Sequence, residues 1–310
     1  MKSSTPSVFT LLLMIFFASS ACLRAAVITQ IRSQEAGTHW NQATTGGNDV
    51  WSDGNAASGT NDYVNSAYTL RTPTSTSTFN GKSLTLETGG SLLLKPNGAN
   101  RVFTVDNLIL DGGKIIHGQP SITNVYIAGA ITLNSDSIYE ATGSSYREAT
   151  ISASITGSSI FDITLGNSDR LEISSSFNNF TGEWRVNQFG SEDVTSKGFV
   201  ASGDGSLGNA SVFIDTLVKF DADYDISNPT KSLVMDGVMT LDQDHTFGSV
   251  SIAGNALAAG TYSFADLNSS YDTNFADGGT GSITVVPEPG SLALLVVAMA
   301  GFLALTRRRK

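Results

Sequence analysis

The chain has 310 residues, 40% apolar and 15% charged, with 31 glycines and a formal net charge of −10. So low a charged fraction, where about 25% is usual, argues against long surface helices, which favour Ala, Leu, Glu and Lys, and suits short strands joined by tight turns. With the basic ends set aside, 12 basic residues face 27 acidic ones, so the middle carries about −15 and is not expected to bind nucleic acid, where affinity comes from neutralising phosphates.

Residues 1–25 read as a secretory signal peptide. Lys2 supplies the positive start, 8–18 is almost wholly apolar, and Ser19, Ser20 and Ala21 are small. That order of charge, apolar core and small-residue cleavage zone defines such leaders. Cleavage by signal peptidase is expected after Ala21 or Ala25. The rival is a lipoprotein with Cys22 lipidated, but Ser19 stands where a larger apolar residue is the rule. Cys22 is the sole cysteine, so the mature body is expected to lack disulfides, thiol nucleophiles and Cys-ligated metals.

Residues 26–78 set Trp40, Trp51 and Tyr63 among Gly, Asn, Ser and Asp, and suit the cap that a stacked-repeat body needs at its open end. From 79 to 285 short period-two segments alternate with Gly-rich turns. Leu84 and Leu86 share one face of a strand, Gly89 and Gly90 turn the chain, and Leu92 to Leu94 follow. The pattern returns at Leu108 and Leu110 before Gly112 and Gly113, and again at Val125 and Ile127 before Gly129. Leu84, Leu108 and Val125 mark units spaced by 24 and 17 residues, near the length of one solenoid coil. Asn178 to Val186 and Gly205 to Val212 carry an aromatic-Thr-Gly segment and a Gly-Ser-Leu-Gly turn. Together they resemble the autotransporter-associated β-strand repeat. The expected fold is all-β, a right-handed parallel β-helix between an N-terminal signal helix and a C-terminal membrane helix. An antiparallel β-sandwich remains the alternative, since regularly spaced strands fit it too.

Chemistry is sparse. His39, His117 and His245 lie far apart and form no local metal motif such as His-Glu-x-x-His. The spacing of 203–208 is wrong for a nucleophile elbow. Asp221, Asp223 and Asp225 alternate and would share a strand face, where a hard cation finds oxygens, but a solvated face is the simpler account. Asp242 and Asp244 read the same way. Trp40, Trp51 and Trp184 are candidates to stack on sugar rings or to fill the core. Pectin-cleaving β-helix enzymes carry Asp-Asp, Gly-His-Gly and Arg-x-Lys elements that are not found here: Ile116 precedes His117. No catalytic residue, metal or cofactor is expected.

The C-terminus holds the most specific signal. Pro287, Glu288 and Pro289 form a stiff extended tripeptide, because each proline fixes its own φ and biases the residue before it away from helix. Residues 290–306 follow without a charge, then Arg307, Arg308, Arg309 and Lys310. As a helix those 17 residues span about 25 Å, slightly short of a hydrocarbon core near 30 Å, and the basic cluster is expected to stay cytoplasmic. Residues 286–310 resemble the PEP-CTERM sorting signal of Gram-negative bacteria that make extracellular polysaccharide. The resemblance implies that a membrane exosortase recognises Pro287, Glu288 and Pro289 and cleaves nearby, after transient inner-membrane anchoring with the body in the periplasm. The expected product is a cell-surface or matrix protein, structural or adhesin-like; the alternatives are an exopolysaccharide-binding module and a polysaccharide-degrading enzyme.

Overall fold

The computed structural model describes residues 25–118, 124–141, 146–166, 169–176, 178–188 and 198–286. Ala21, the tripeptide at 287–289, the apolar stretch 290–306 and the basic cluster 307–310 lie outside them; Ala25 is the first described residue.

Period-two segments become strands, and each strand lies parallel on the equivalent strand one turn later. The inward ladder of one face runs through Leu70, Leu92, Ile115, Tyr139, Ile163 and Val186, then Ile214, Met235 and Ile252. A second ladder runs Ile28, Tyr63, Leu84, Leu108, Ile131 and Ile155. Among the described residues the strands form a 13-stranded and a 12-stranded sheet around one core, with a separate two-stranded hairpin. The body is a parallel β-solenoid. Among the described residues, antiparallel pairing of strands is confined to the hairpin of Thr44–Thr45 with Asn48–Asp49 and to the closing unit after Asp244, so the sandwich alternative falls.

Leu84 and Leu108 stack directly, as their 24-residue spacing implies. Val125 does not continue that ladder: Ile131 does, and Val125 pairs with Arg101. The reason is a bend. The strands Arg101–Asp111 and Asn124–Ser135 each cover two faces, with a register shift between Gly129 and Ile131. Gly129 has φ +104°, a conformation closed to residues with a Cβ, and a Cβ there would strike the Val105 carbonyl oxygen. One turn later the bend becomes a break between Glu148–Ile151 and Ser154–Gly157. The true step at this point is therefore 23 residues, not 17.

Both ends of the core are filled by aromatic rings. Trp51 and Tyr63 pack edge to face at 4.7 Å, Tyr63 meets Phe79 at 5.4 Å, and Trp40 meets Phe103 at 5.9 Å. Asp62–Asn65 and Thr69–Arg71 already sit in register on the following turn. At the far end the helix α1, Phe264–Ser270, starts on a capping box between Ser263 and Asp266. It buries Leu267 against the core, and Phe264 meets Phe275 edge to face at 6.4 Å. Burying each large apolar side chain contributes about 1.5–3 kcal/mol.

The two segments that resemble a β-strand repeat are in contact. Trp184 Nε1 donates to Leu207 O at 2.9 Å, and Asn209 N donates to Phe180 O at 2.7 Å. Asn178 links three turns: its Oδ1 accepts from Ile155 N at 2.7 Å and its Nδ2 donates to Ser206 O.

Candidate functional site

The sequence candidates separate once placed. Trp40, Trp51 and Trp184 are fully buried, so none offers a face to a sugar. The strand that carries Asp221 ends at Ala222; Asp223 and Asp225 follow it, exposed, and do not share its face. Asp221 is engaged by Lys219 Nζ at 2.8 Å and Thr240 Oγ1 at 2.6 Å. Asp244 accepts from Ser282 Oγ at 2.8 Å. Among the described residues no group of His, Cys, Asp and Glu is placed to hold a metal ion. The histidines are not brought together. His245 is buried, and burial lowers its pKa.

His117 belongs to a polar cluster inside the core. Its Nδ1 lies 3.5 Å from Tyr139 Oη, and its Nε2 has no partner among the described residues. Burial first, then the Arg147 charge, lowers its pKa to about 4. Beside it the Asp169 carboxylate accepts from Arg147 N at 2.7 Å and Gly166 N at 3.0 Å, with the Arg147 guanidinium 3.7 Å away. Burial nevertheless raises the Asp169 pKa to about 6, outweighing Arg147 and both backbone donors. Arg147 and Asp169 are both buried, so the cluster lies within the core rather than on an exposed face.

A cavity does exist at the N-terminal end, about 310 Å³, between the cap and the first turns. Three basic residues line it: His39 from the cap, Arg71 at the end of the strand Thr69–Arg71, and Lys95 just after Ser91–Leu94. Those two strands are paired neighbours, with Arg71 opposite Leu93, so Lys95, two residues further on, reaches the same cavity from the next turn. The Arg71 backbone is held by Gln34 Oε1, which accepts its N–H at 2.8 Å, and by Trp40 N, which donates to its carbonyl at 2.8 Å. Pro73, Thr74 and Ser75 form another wall. Burial lowers the Lys95 pKa, and the neighbouring Arg71 and Arg147 charges lower it further. Burial likewise lowers that of His39. Sequence reading missed this site because His39 is distant in the chain and because the coil step here sets Arg71 on Leu93 rather than on Lys95, so no repeat interval links the two cations.

At the other end the chain leaves the body abruptly. The last strand, Ser282–Val285, lies parallel on Asp244–Phe247, and Val286 N donates to Phe247 O at 3.0 Å. Pro287 is the next residue. Residues 285–310 match the family model described as the PEP-CTERM protein-sorting motif. The chain carries a PEP-CTERM sorting segment. It is thus an exported protein, processed by an exosortase and transiently anchored at the membrane. The PEP-CTERM segment begins within the last strand, so body and signal are continuous. Among the described residues no helix is long and apolar enough to cross a membrane; the expected span at 290–306 falls outside them. No curated protein and no solved structure matches the chain, so the likeness of the body to autotransporter repeats rests on its residues alone.

Proposed function

We propose that this is a non-enzymatic cell-surface or extracellular-matrix protein, a β-solenoid spacer or adhesin-like body released from its anchor by exosortase cleavage near Pro287, Glu288 and Pro289. The observation that carries the reading is the exit of the last strand straight into the PEP-CTERM segment. A single-purpose body needs no flexible linker between fold and signal. The enclosure of His117 and His245 in the core supports a structural role, since a general acid or base must reach its substrate.

The test is mass spectrometry of the mature protein from cells that possess an exosortase. The expected C-terminus lies upstream of Arg307. In Glu288→Ala the protein is expected to stay in the membrane fraction and to end at Lys310. A wild-type protein ending at Lys310 in such cells overturns the sorting reading, and sugar release from polysaccharide by the purified protein overturns the non-enzymatic one. A second reading, a body that holds exopolysaccharide, draws support from the basic cavity at the N-terminal end.

A further inference from the structure

The body carries about −15, and its cations are mostly neutralised. Lys82, Lys114, Arg147, Arg170, Arg185 and Lys219 each have a carboxylate within 4 Å. Arg71 and Lys95 have none among the described residues, although they converge on one cavity. The Lys95 ammonium makes a single long contact, 3.4 Å to Gly118 O. Two like charges brought together on adjacent turns disfavour each other, and an arriving anion removes that cost.

The remaining walls say what kind of anion fits. The hydroxyls of Thr74 and Ser75 are exposed and make no hydrogen bond among the described residues, so they are free to meet hydroxyl groups of a ligand. Pro73 supplies an apolar patch of the wall that the C–H groups of a ligand can meet. His39, whose pKa burial lowers, has a buried Nδ1 without a partner among the described residues. A cavity of about 310 Å³ is at the small end of ligand sites. It suits a sugar-sized group rather than a long oligomer.

We propose that this cavity binds the carboxylate of an acidic sugar, with Arg71 and Lys95 holding the oxyanion and Thr74, Ser75 and His39 meeting the ring. Guanidinium–carboxylate bonds are short, charge-assisted and often bidentate, which gives the site a preference for uronates over neutral hexoses. The proposal deepens the second reading of the body and is independent of the sorting tail, because ligand binding is read at the cavity and processing at the C-terminus.

The experiment is ligand-observed NMR and calorimetric titration of the mature exported protein with trigalacturonate, a neutral galactose trimer and inorganic sulfate. A dissociation constant on the order of 1 mM is expected for the uronate trimer, from the efficiency typical of small ligands, weakening as salt rises. Arg71→Gln and Lys95→Gln should each weaken it on the order of tenfold. Arg101→Gln, a cation outside the cavity, should leave it unchanged. Unaltered thermal melting shows that the variants fold; should they not, the salt dependence of the wild-type protein still decides. Binding of the neutral trimer as tight as that of the uronate, or binding indifferent to salt or to both substitutions, overturns the proposal. So does sulfate binding as tightly as the uronate, which would leave an anion hole without a sugar site. No uronate binding in a protein with a correctly processed C-terminus refutes the cavity assignment and leaves the sorting reading intact.

Discussion

Trp184 is the residue whose replacement tests the stacking most directly. Its indole is fully buried among Phe161, Phe180 and Phe199, with ring centroids at 5.6, 5.0 and 5.7 Å, and its Nε1–H donates to Leu207 O at 2.9 Å. Trp184→Ala removes the ring from three aromatic contacts and leaves a void in mid-core, at a cost of about 3–5 kcal/mol. Trp184→Phe keeps most of the volume but leaves the buried Leu207 carbonyl without its donor, at a cost of about 1–3 kcal/mol. Against the usual 5–15 kcal/mol of a folded domain, the first change removes a large share of the stability and the second a modest one. Urea titration followed by circular dichroism gives both values from the shift in midpoint. The other two tryptophans, Trp40 and Trp51, sit together at the N-terminal end, so fluorescence of Trp184→Phe reports that end alone. Each turn touches only its neighbours, hence the fluorescence transition should shift less than the dichroism transition. Equal shifts would refute nearest-neighbour coupling, and a loss below about 1 kcal/mol for Trp184→Ala would refute the packed interior.

Asn178→Ala leaves Ile155 N–H and Ser206 C=O unpaired across adjacent turns and should cost about 2–4 kcal/mol, read from the urea midpoint; a loss under 1 kcal/mol, small beside about 1–3 per orphaned group, would mean that water or relaxation satisfies both groups. Gly129→Ala places a Cβ at φ +104° against Val105 O and should destabilise by about 1–3 kcal/mol or more, whereas Gly205→Ala meets no neighbouring atom and carries only the strain of φ +66°; equal melting temperatures for the two would remove the steric argument. The pH profile tests the buried cluster. His117, with a folded pKa of about 4 against 6.5, is disfavoured as a cation, so it lowers stability as pH falls from 6.5 to 4. Asp169, at about 6 against 3.8, gives the opposite slope, gaining stability as pH falls from 6 to 4. Each shift corresponds to about 3 kcal/mol, so the two nearly cancel. In His117→Gln the Asp169 slope stands alone, and relative to wild type the variant should gain stability on acidification through that window. Parallel urea-midpoint profiles for the two proteins would contradict the assignment.

Much of the fold was legible because solenoid turns repeat one local instruction. Leu84 and Leu108 announce the coil length, and they stack as their spacing says. Val125 misled because a bend inside Asn124–Ser135 puts two faces on one strand; periodicity reports which side is apolar, not which face of the coil a strand occupies. The tryptophans were ambiguous for a related reason, since a polar neighbourhood in the chain around Trp40 and Trp51 hides a core made by residues such as Phe79 and Phe103. Asp221, Asp223 and Asp225 alternate in sequence, but alternation makes a shared face only while the strand lasts, and it ends at Ala222. The sorting segment was the clearest of all, being contiguous and read linearly. The basic cavity was the least legible, because it exists only when the cap and two adjacent turns bring His39, Arg71 and Lys95 together.

The way the chain quits the body has a mechanical consequence. Ser282–Val285 runs alongside Asp244–Phe247 in the same direction, and Val286 holds the final rung. While the protein is still tethered, drag on it pulls along that strand and loads its rungs together in shear, rather than peeling them one after another. Rungs that share a load resist it better than rungs met singly, so the body can be tugged by the envelope through its leash without fraying from that edge, which Gly260–Ser263 already covers.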